Sequence, residues 1–140
     1  MADVFQAAVR FLKGEQTAQP SRVFGFLSRP VGVSSPVEVS AADLRLAAER
    51  IDLSTFIPPS IAVGDVEIGP ADFLIAALEV LSAGAEKVTV TPREQLGDLD
   101  GFATLRDFKP RGGWILSSDF RDDYVSDRLR WQFWTLRYND

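Results

Sequence analysis

The stretch that decides the fold is FIPPSIAVGDVEIGPADFLIAALEVL, residues 56–81. If residues 64–65 form a two-residue turn, four apolar side chains share one face of a hairpin. The facing pairs are then Ile61 with Ile68 and Val63 with Val66. Gly64 suits the positive φ that such turns require, and a slip of one residue would move the apolar set to the opposite face. The pattern therefore predicts a β-hairpin.

A helix is predicted before this hairpin. Ser40 stands at the N-cap, and Asp43 follows three residues later, as in a capping box. The apolar positions then recur at helical spacing, at Leu44, Ala47, Ala48 and Ile51. Pro58 and Pro59 prevent the helix from continuing, and Ile57 before them is expected to be extended.

A second helix is predicted after the hairpin. Gly69-Pro70 places proline at or near the first helical position, Asp72 lies in the first turn, and Gly84 is suited to the C-terminal end. Its predicted buried side consists of Phe73, Ala76, Ala77, Val80 and Leu81. Residues 39–84 thus form a helix–hairpin–helix unit. Each distinctive residue of the opening stretch has a backbone role, so we interpret the stretch as framework rather than as a site.

The remaining segments contribute one helix and several strands. An N-terminal helix is predicted between Asp3 and Gly14, with an apolar face of Phe5, Ala8, Val9 and Leu12. Strands are expected at 23–27, 87–91, 114–118 and 130–138, and residues 93–113 read mostly as loop. We predict one α+β domain over residues 1–140, in which the helix–hairpin–helix unit packs with a small antiparallel sheet and residues 87–140 form an aromatic-rich β region.

Composition excludes several classes of function. The 140 residues include no cysteine and no histidine. Thiolate nucleophiles, zinc–sulfur sites and serine–histidine or cysteine–histidine catalysis are therefore excluded within this chain. The formal net charge is −5, without a basic segment, which argues against nucleic acid as a partner.

Membrane and export signals are also missing from the sequence. No apolar run approaches the ~20 residues of a membrane span. The start, MADVFQAAVRFLKGEQ, lacks the features of a signal peptide. As written, the chain is expected in the cytoplasm, or at the cell surface if an export signal was removed.

Residues 39–84 resemble the pseudomurein-binding repeat, a short module of archaeal cell-wall and surface proteins with bacterial relatives. The shared features are the capped helix, Ile57-Pro58, the two β runs around Gly64-Asp65, and the helix that opens on Phe73-Leu74. The resemblance implies attachment to cell-wall glycan. Members usually carry several tandem copies, whereas one copy is seen here, and no ligand residue transfers by position.

The C-terminal region holds the candidate binding residues. Exposed aromatic side chains suit sugar rings and protein interfaces, and a nearby arginine suits an anion or a peptide. These candidates are Arg111, Trp114, Tyr124, Trp131, Trp134 and Tyr138. Burial in the core is the alternative for the aromatic residues.

Acidic clusters provide weak candidates for a calcium site. Clustered carboxylates bind hard cations, and Asp119, Asp122 and Asp123 lie in such a cluster. The spacing does not match an EF-hand, and Arg121 lies among them, so a solvated loop with ion pairs is the alternative. The GDLDG motif at 97–101 is similarly interpreted as a turn. We expect no cofactor.

These observations favour a non-catalytic binding or assembly module, with cell-wall polysaccharide as the ligand that the resemblance implies. The alternative is a structural or accessory subunit that self-associates, or packs on a larger protein, through its C-terminal aromatic strand. A carboxylate-based enzyme is third, because no pair among the twenty acidic residues stands out.

Overall fold

The computed structural model describes residues 2–17, 30–54, 56–92, 95–96 and 135–136. Helices alternate with short strands, and the fold class is α+β, as predicted. The helices are α1 (Ala2–Leu12), α2 (Ala41–Arg50) and α3 (Pro70–Ala83). The strands are β1 (Val37–Ser40), β2 (Ile61–Val63), β3 (Val66–Ile68), β4 (Lys87–Val90), β5 (Gln95–Leu96) and β6 (Thr135–Leu136). In the part of the chain that the structure describes, no helix is long and apolar enough to cross a membrane.

The β2–β3 hairpin has the register that the sequence predicts. Ile61 is paired with Ile68 and Val63 with Val66 in an antiparallel ladder. Gly64 in the turn has φ of +58°, a conformation that side-chain-bearing residues rarely adopt. The apolar pairs therefore face the core, and Ala62 and Glu67 are exposed.

Helix α2 begins at the predicted cap and ends before the prolines that were expected to stop it. The Ser40 hydroxyl accepts a hydrogen bond from the Asp43 backbone N–H at 3.0 Å. The helix ends at Arg50, well before the prolines, because Ile51 is already extended. Just beyond, Asp52 accepts hydrogen bonds from the backbone N–H and the hydroxyl of Ser54, and this local turn competes with further helix.

Helix α3 begins after Gly69 and ends at Gly84, which adopts the left-handed conformation with φ of +66°. Phe73, Ala76, Ala77 and Val80 are buried as predicted. Leu81 was expected to be buried with them but is 39% exposed. The buried surface instead wraps around the N-terminal half of the helix, where Ala71, Asp72 and Leu74 are also buried.

Strand β4 confirms the predicted alternation, with Val88 and Val90 buried between exposed neighbours. Its antiparallel partner β1, just before α2, was not predicted, because proline, glycine and serine dominate the preceding residues. A further pair joins β5 to β6. Gln95–Leu96 therefore forms a strand where a loop was expected, and Thr135–Leu136 lies within the predicted strand at 130–138. The predicted strands at 23–27 and 114–118 lie outside the described residues.

The core lies between α1, α2, α3 and the two ladders β1–β4 and β2–β3. Helix α1 contributes its whole predicted face, Phe5, Ala8, Val9 and Leu12, to this core. Phe5 packs on Phe73 of α3 with a ring-centroid distance of 5.8 Å and an interplanar angle of 52°. Such tilted aromatic pairs add packing energy to that of burial alone.

Candidate functional site

An open groove of about 320 Å³ lies where the chain passes from α2 to the hairpin. One side, the helix wall, consists of Ala47, Arg50, Ile51 and Asp52. The other side, the hairpin wall, consists of Pro58, Ser60, Ile61 and Ala62. Phe56 also lines the groove and lies between the two walls in the sequence. The volume of the groove is at the lower end of the range usual for ligand-binding pockets.

The helix wall is held by two side chains of the N-terminal part of the chain. Gln6, which is buried, donates a hydrogen bond from Nε2 to the Leu53 carbonyl oxygen at 3.3 Å. Lys13 donates from Nζ to the Ile51 carbonyl oxygen at 3.1 Å. These bonds satisfy carbonyl groups just past the end of α2, and they fix the path of the chain along the groove.

Packing also supports the helix wall from behind. A cavity of about 10 Å³ lies among Phe5, Gln6, Leu53 and Ile57. That volume is about the space of a single water molecule, so α1 backs the wall closely. The wall is therefore pre-formed by contacts with α1.

The hairpin wall is held through the main chain and through β3. The Val31 N–H donates to the Pro59 carbonyl oxygen at 2.9 Å. The Ser60 hydroxyl donates to Oε1 of Glu67 at 2.5 Å. Ile61 is buried in the core through the β2–β3 ladder, which anchors the far end of this wall.

Charged and aromatic groups at the rim give the groove its chemistry. Phe56 is 41% exposed and adds apolar aromatic surface to the groove. Arg50 is exposed in the last turn of α2, and Asp52 is exposed two residues later. The rim therefore carries one cation and one anion next to an aromatic surface.

The Asp52 carboxylate is held in its ionised form. Hydrogen bonds from the Ser54 hydroxyl and then from the Ser54 N–H lower the pKa of Asp52 below its ordinary value, and the charge of Lys13 acts in the same direction. A general acid needs a raised pKa at neutral pH. Asp52 is instead suited to accept hydrogen bonds from a ligand.

Metal binding finds no support in the described region. Among residues 2–17, 30–54, 56–92, 95–96 and 135–136, no group of three acidic side chains is placed to hold a metal ion. The weak calcium candidates Asp119, Asp122 and Asp123 lie outside those residues. Calcium binding by these three residues stays a prediction.

The binding residues predicted from the sequence also lie outside the described residues: Arg111, Trp114, Tyr124, Trp131, Trp134 and Tyr138. The structure does bring together groove residues that the sequence analysis did not select, among them Arg50, Asp52 and Phe56. No local pattern of residues selects them, because contacts with distant segments hold the walls of the groove.

Comparisons with known proteins do not assign a family. No family model matches the chain, and neither curated proteins nor solved structures give a significant match. A proposed function therefore rests on the groove and on the resemblance of residues 39–84.

Proposed function

We propose that the chain is a non-catalytic binding module and that it holds a segment of cell-wall polysaccharide in the groove. The supporting observation is the position of Phe56, an exposed aromatic residue that lines the groove together with the polar residues Arg50, Asp52 and Ser60. The walls on either side of this ring are fixed by contacts within the domain. Pre-formed clefts with a few placed polar groups are typical of ligand sites.

Sugar rings match the groups that the groove presents. The apolar face of a pyranose can pack on an aromatic ring, while its hydroxyls both donate and accept hydrogen bonds. Arg50 offers only donors and Asp52 only acceptors, and the Ser60 hydroxyl, which donates its proton to Glu67, can still accept a hydrogen bond. Because the charges of Arg50 and Asp52 balance, a neutral or weakly charged saccharide suits this rim.

A fixed groove also lowers the entropic cost of binding. Gln6 and Lys13 hold the helix wall, and the bonds to Pro59 and Ser60 hold the hairpin wall. Ligand binding then needs little ordering of the protein. This supports a small module that binds without closing around its ligand.

The C-terminal aromatic residues extend the proposal. Trp114, Tyr124, Trp131, Trp134 and Tyr138, with Arg111, are proposed as a second contact surface for the same polymer. Association with itself or with a larger protein through residues 130–138 stays the alternative. The structure describes two residues of that strand, Thr135–Leu136, which pair with β5.

Sedimentation of the purified chain with insoluble pseudomurein, peptidoglycan and cellulose tests the proposal. We expect one of the cell-wall polymers to remove the wild-type chain from solution. The variant Arg50→Ala should bind about tenfold less, because it loses the hydrogen-bond donors of the guanidinium at the rim. Arg45→Ala is the matched control, because Arg45 is exposed on the same helix but does not line the groove.

Two results would overturn the proposal. The first is that none of the three polymers removes wild-type protein. The second is equal loss of binding in both arginine variants, which would mean that general charge rather than the groove is responsible. Analytical ultracentrifugation of the chain alone separates these results from self-association, since only the alternative predicts sedimentation that depends on protein concentration.

A further inference from the structure

A short segment before β1, residues 30–33, crosses from the groove to the start of α3. We call it the strap. At one end, the Val31 N–H donates to the Pro59 carbonyl oxygen at 2.9 Å. At the other, the Val33 N–H donates to Oδ2 of Asp72 at 3.3 Å. The strap therefore connects the hairpin wall to the first turn of α3.

Gly69 makes this connection sterically feasible. A Cβ atom added at Gly69 would lie 1.8 Å from the Val31 carbonyl oxygen, a distance that no real Cβ contact shows. The backbone of Gly69 has φ of −78° and ψ of 164°, which any residue adopts. Glycine is thus needed here for the close approach of the strap and not for its backbone conformation.

Asp72 provides the second attachment. Its side chain is only 4% exposed, which is unusual for a carboxylate. It lies in the first turn of α3, where negative charge is favourable to the helix dipole. A buried carboxylate that accepts a backbone N–H fixes the strap in place, because loss of this acceptor would leave the donor without that partner.

Pro59, which the strap holds, lies between two residues of the hairpin wall, Pro58 and Ser60. We propose that Gly69 and Asp72 are positioning residues for the groove. They seat the strap, and the strap sets the position of the Pro58–Ser60 segment. That the groove binds a ligand is taken from the proposed function. The coupling between the strap and the groove does not depend on any ligand.

NMR spectroscopy of the full chain without ligand tests this coupling. In Gly69→Ala, the hydrogen-bond scalar coupling between the Val31 nitrogen and the Pro59 carbonyl carbon should disappear. The ring-carbon shifts of Pro58 and Phe56 should change as well, although neither residue belongs to α3 or to the hairpin ladder. Gly84→Ala at the other end of α3 is the control, because nothing lies within 4 Å of a Cβ there.

A second variant keeps the test informative if Gly69→Ala does not fold. Asp72→Ala should raise hydrogen exchange at the Val31 and Val33 amides about tenfold, and Asp72→Asn, which keeps an acceptor oxygen, should restore most of the protection. Unchanged Pro58 and Phe56 shifts in a folded Gly69→Ala variant would overturn the coupling. So would exchange in Asp72→Ala equal to that of wild type.

Ligand binding distinguishes the two proposals. If wild type binds a cell-wall polymer, Gly69→Ala should bind it more weakly than Gly84→Ala does. If wild type binds no polymer while the NMR changes occur as expected, the proposed function fails and the coupling of strap and groove stands.

Discussion

The two walls of the groove are held in different ways. The helix wall depends on two side chains, Gln6 and Lys13, which reach its carbonyl groups from the N-terminal part of the chain. The hairpin wall depends on main-chain contacts, including the approach of the strap to Gly69. Removal of one side-chain hydrogen bond should lower the stability of the helix wall only modestly. The close approach of the strap to Gly69, in contrast, is lost when any side chain is introduced at that position.

The largest effect is expected at the hairpin wall. Gly69→Ala should lower the free energy of unfolding by about 3 kcal/mol, because the new methyl group must displace backbone atoms of the strap. Gly84→Ala should lower it by about 1 kcal/mol, because alanine there must adopt a left-handed conformation without meeting any neighbour. Urea denaturation measures both values. Equal values would contradict the claim that Gly69 is needed for the close approach of the strap, whereas Gly84 is needed for its positive φ.

Asp72 should show the next largest effect. Asp72→Ala removes the acceptor of the Val33 N–H and should cost about 2 kcal/mol. Asp72→Asn should cost less, because an amide oxygen can still accept that hydrogen bond. Urea denaturation of the two variants is again the measurement. If Asp72→Asn lowered the free energy of unfolding as much as Asp72→Ala, then Asp72 would contribute through its charge and not through the hydrogen bond to the strap.

The helix wall should tolerate the loss of one tether better. Gln6→Ala removes the hydrogen bond to Leu53 and should lower the free energy of unfolding by about 1 kcal/mol. Gln16→Ala is the control, because Gln16 is exposed. If thermal and urea denaturation showed a loss for Gln6→Ala as large as that for Gly69→Ala, the contrast between the walls would be wrong.

The smallest effect is expected for the pH dependence of stability that arises from Asp52. Its folded pKa is lowered, so its contribution to stability is complete above the unfolded pKa and is lost as the pH falls through the folded pKa. Ser54→Ala removes the largest cause, and the pKa of Asp52 should rise toward its ordinary value of 3.8. A carboxyl-carbon NMR titration measures this shift, with Ser82→Ala as control. An unchanged titration curve in Ser54→Ala would contradict the assignment of cause.

Local chemistry in the sequence predicts most of the helix–hairpin–helix unit. The hairpin register follows from alternation and a glycine turn, and the starts of α2 and α3 follow from Ser40 and Pro70. These signals involve residues that are close in the chain. The end of α2 lies before the prolines, as expected, and the turn formed by Asp52 and Ser54 follows it directly.

Contacts between distant segments could not be predicted in this way. In the sequence, Gly69 reads as part of a helix start, but its main constraint is the carbonyl of Val31, 38 residues earlier in the numbering. Similarly, Gln6 reads as one polar position among apolar ones until its bond to Leu53 is seen. The groove arises from such contacts, so no local pattern of residues indicates it.

Isothermal titration calorimetry with soluble cell-wall glycan fragments tests the groove as the binding site most directly. Wild type and Leu46→Ala should bind alike, because Leu46 is exposed on α2 but does not line the groove. Phe56→Ala should lose about tenfold or more in affinity, equivalent to at least ~1.4 kcal/mol. Equal affinities of Phe56→Ala and Leu46→Ala, with both variants folded, would show that the saccharide does not bind in this groove.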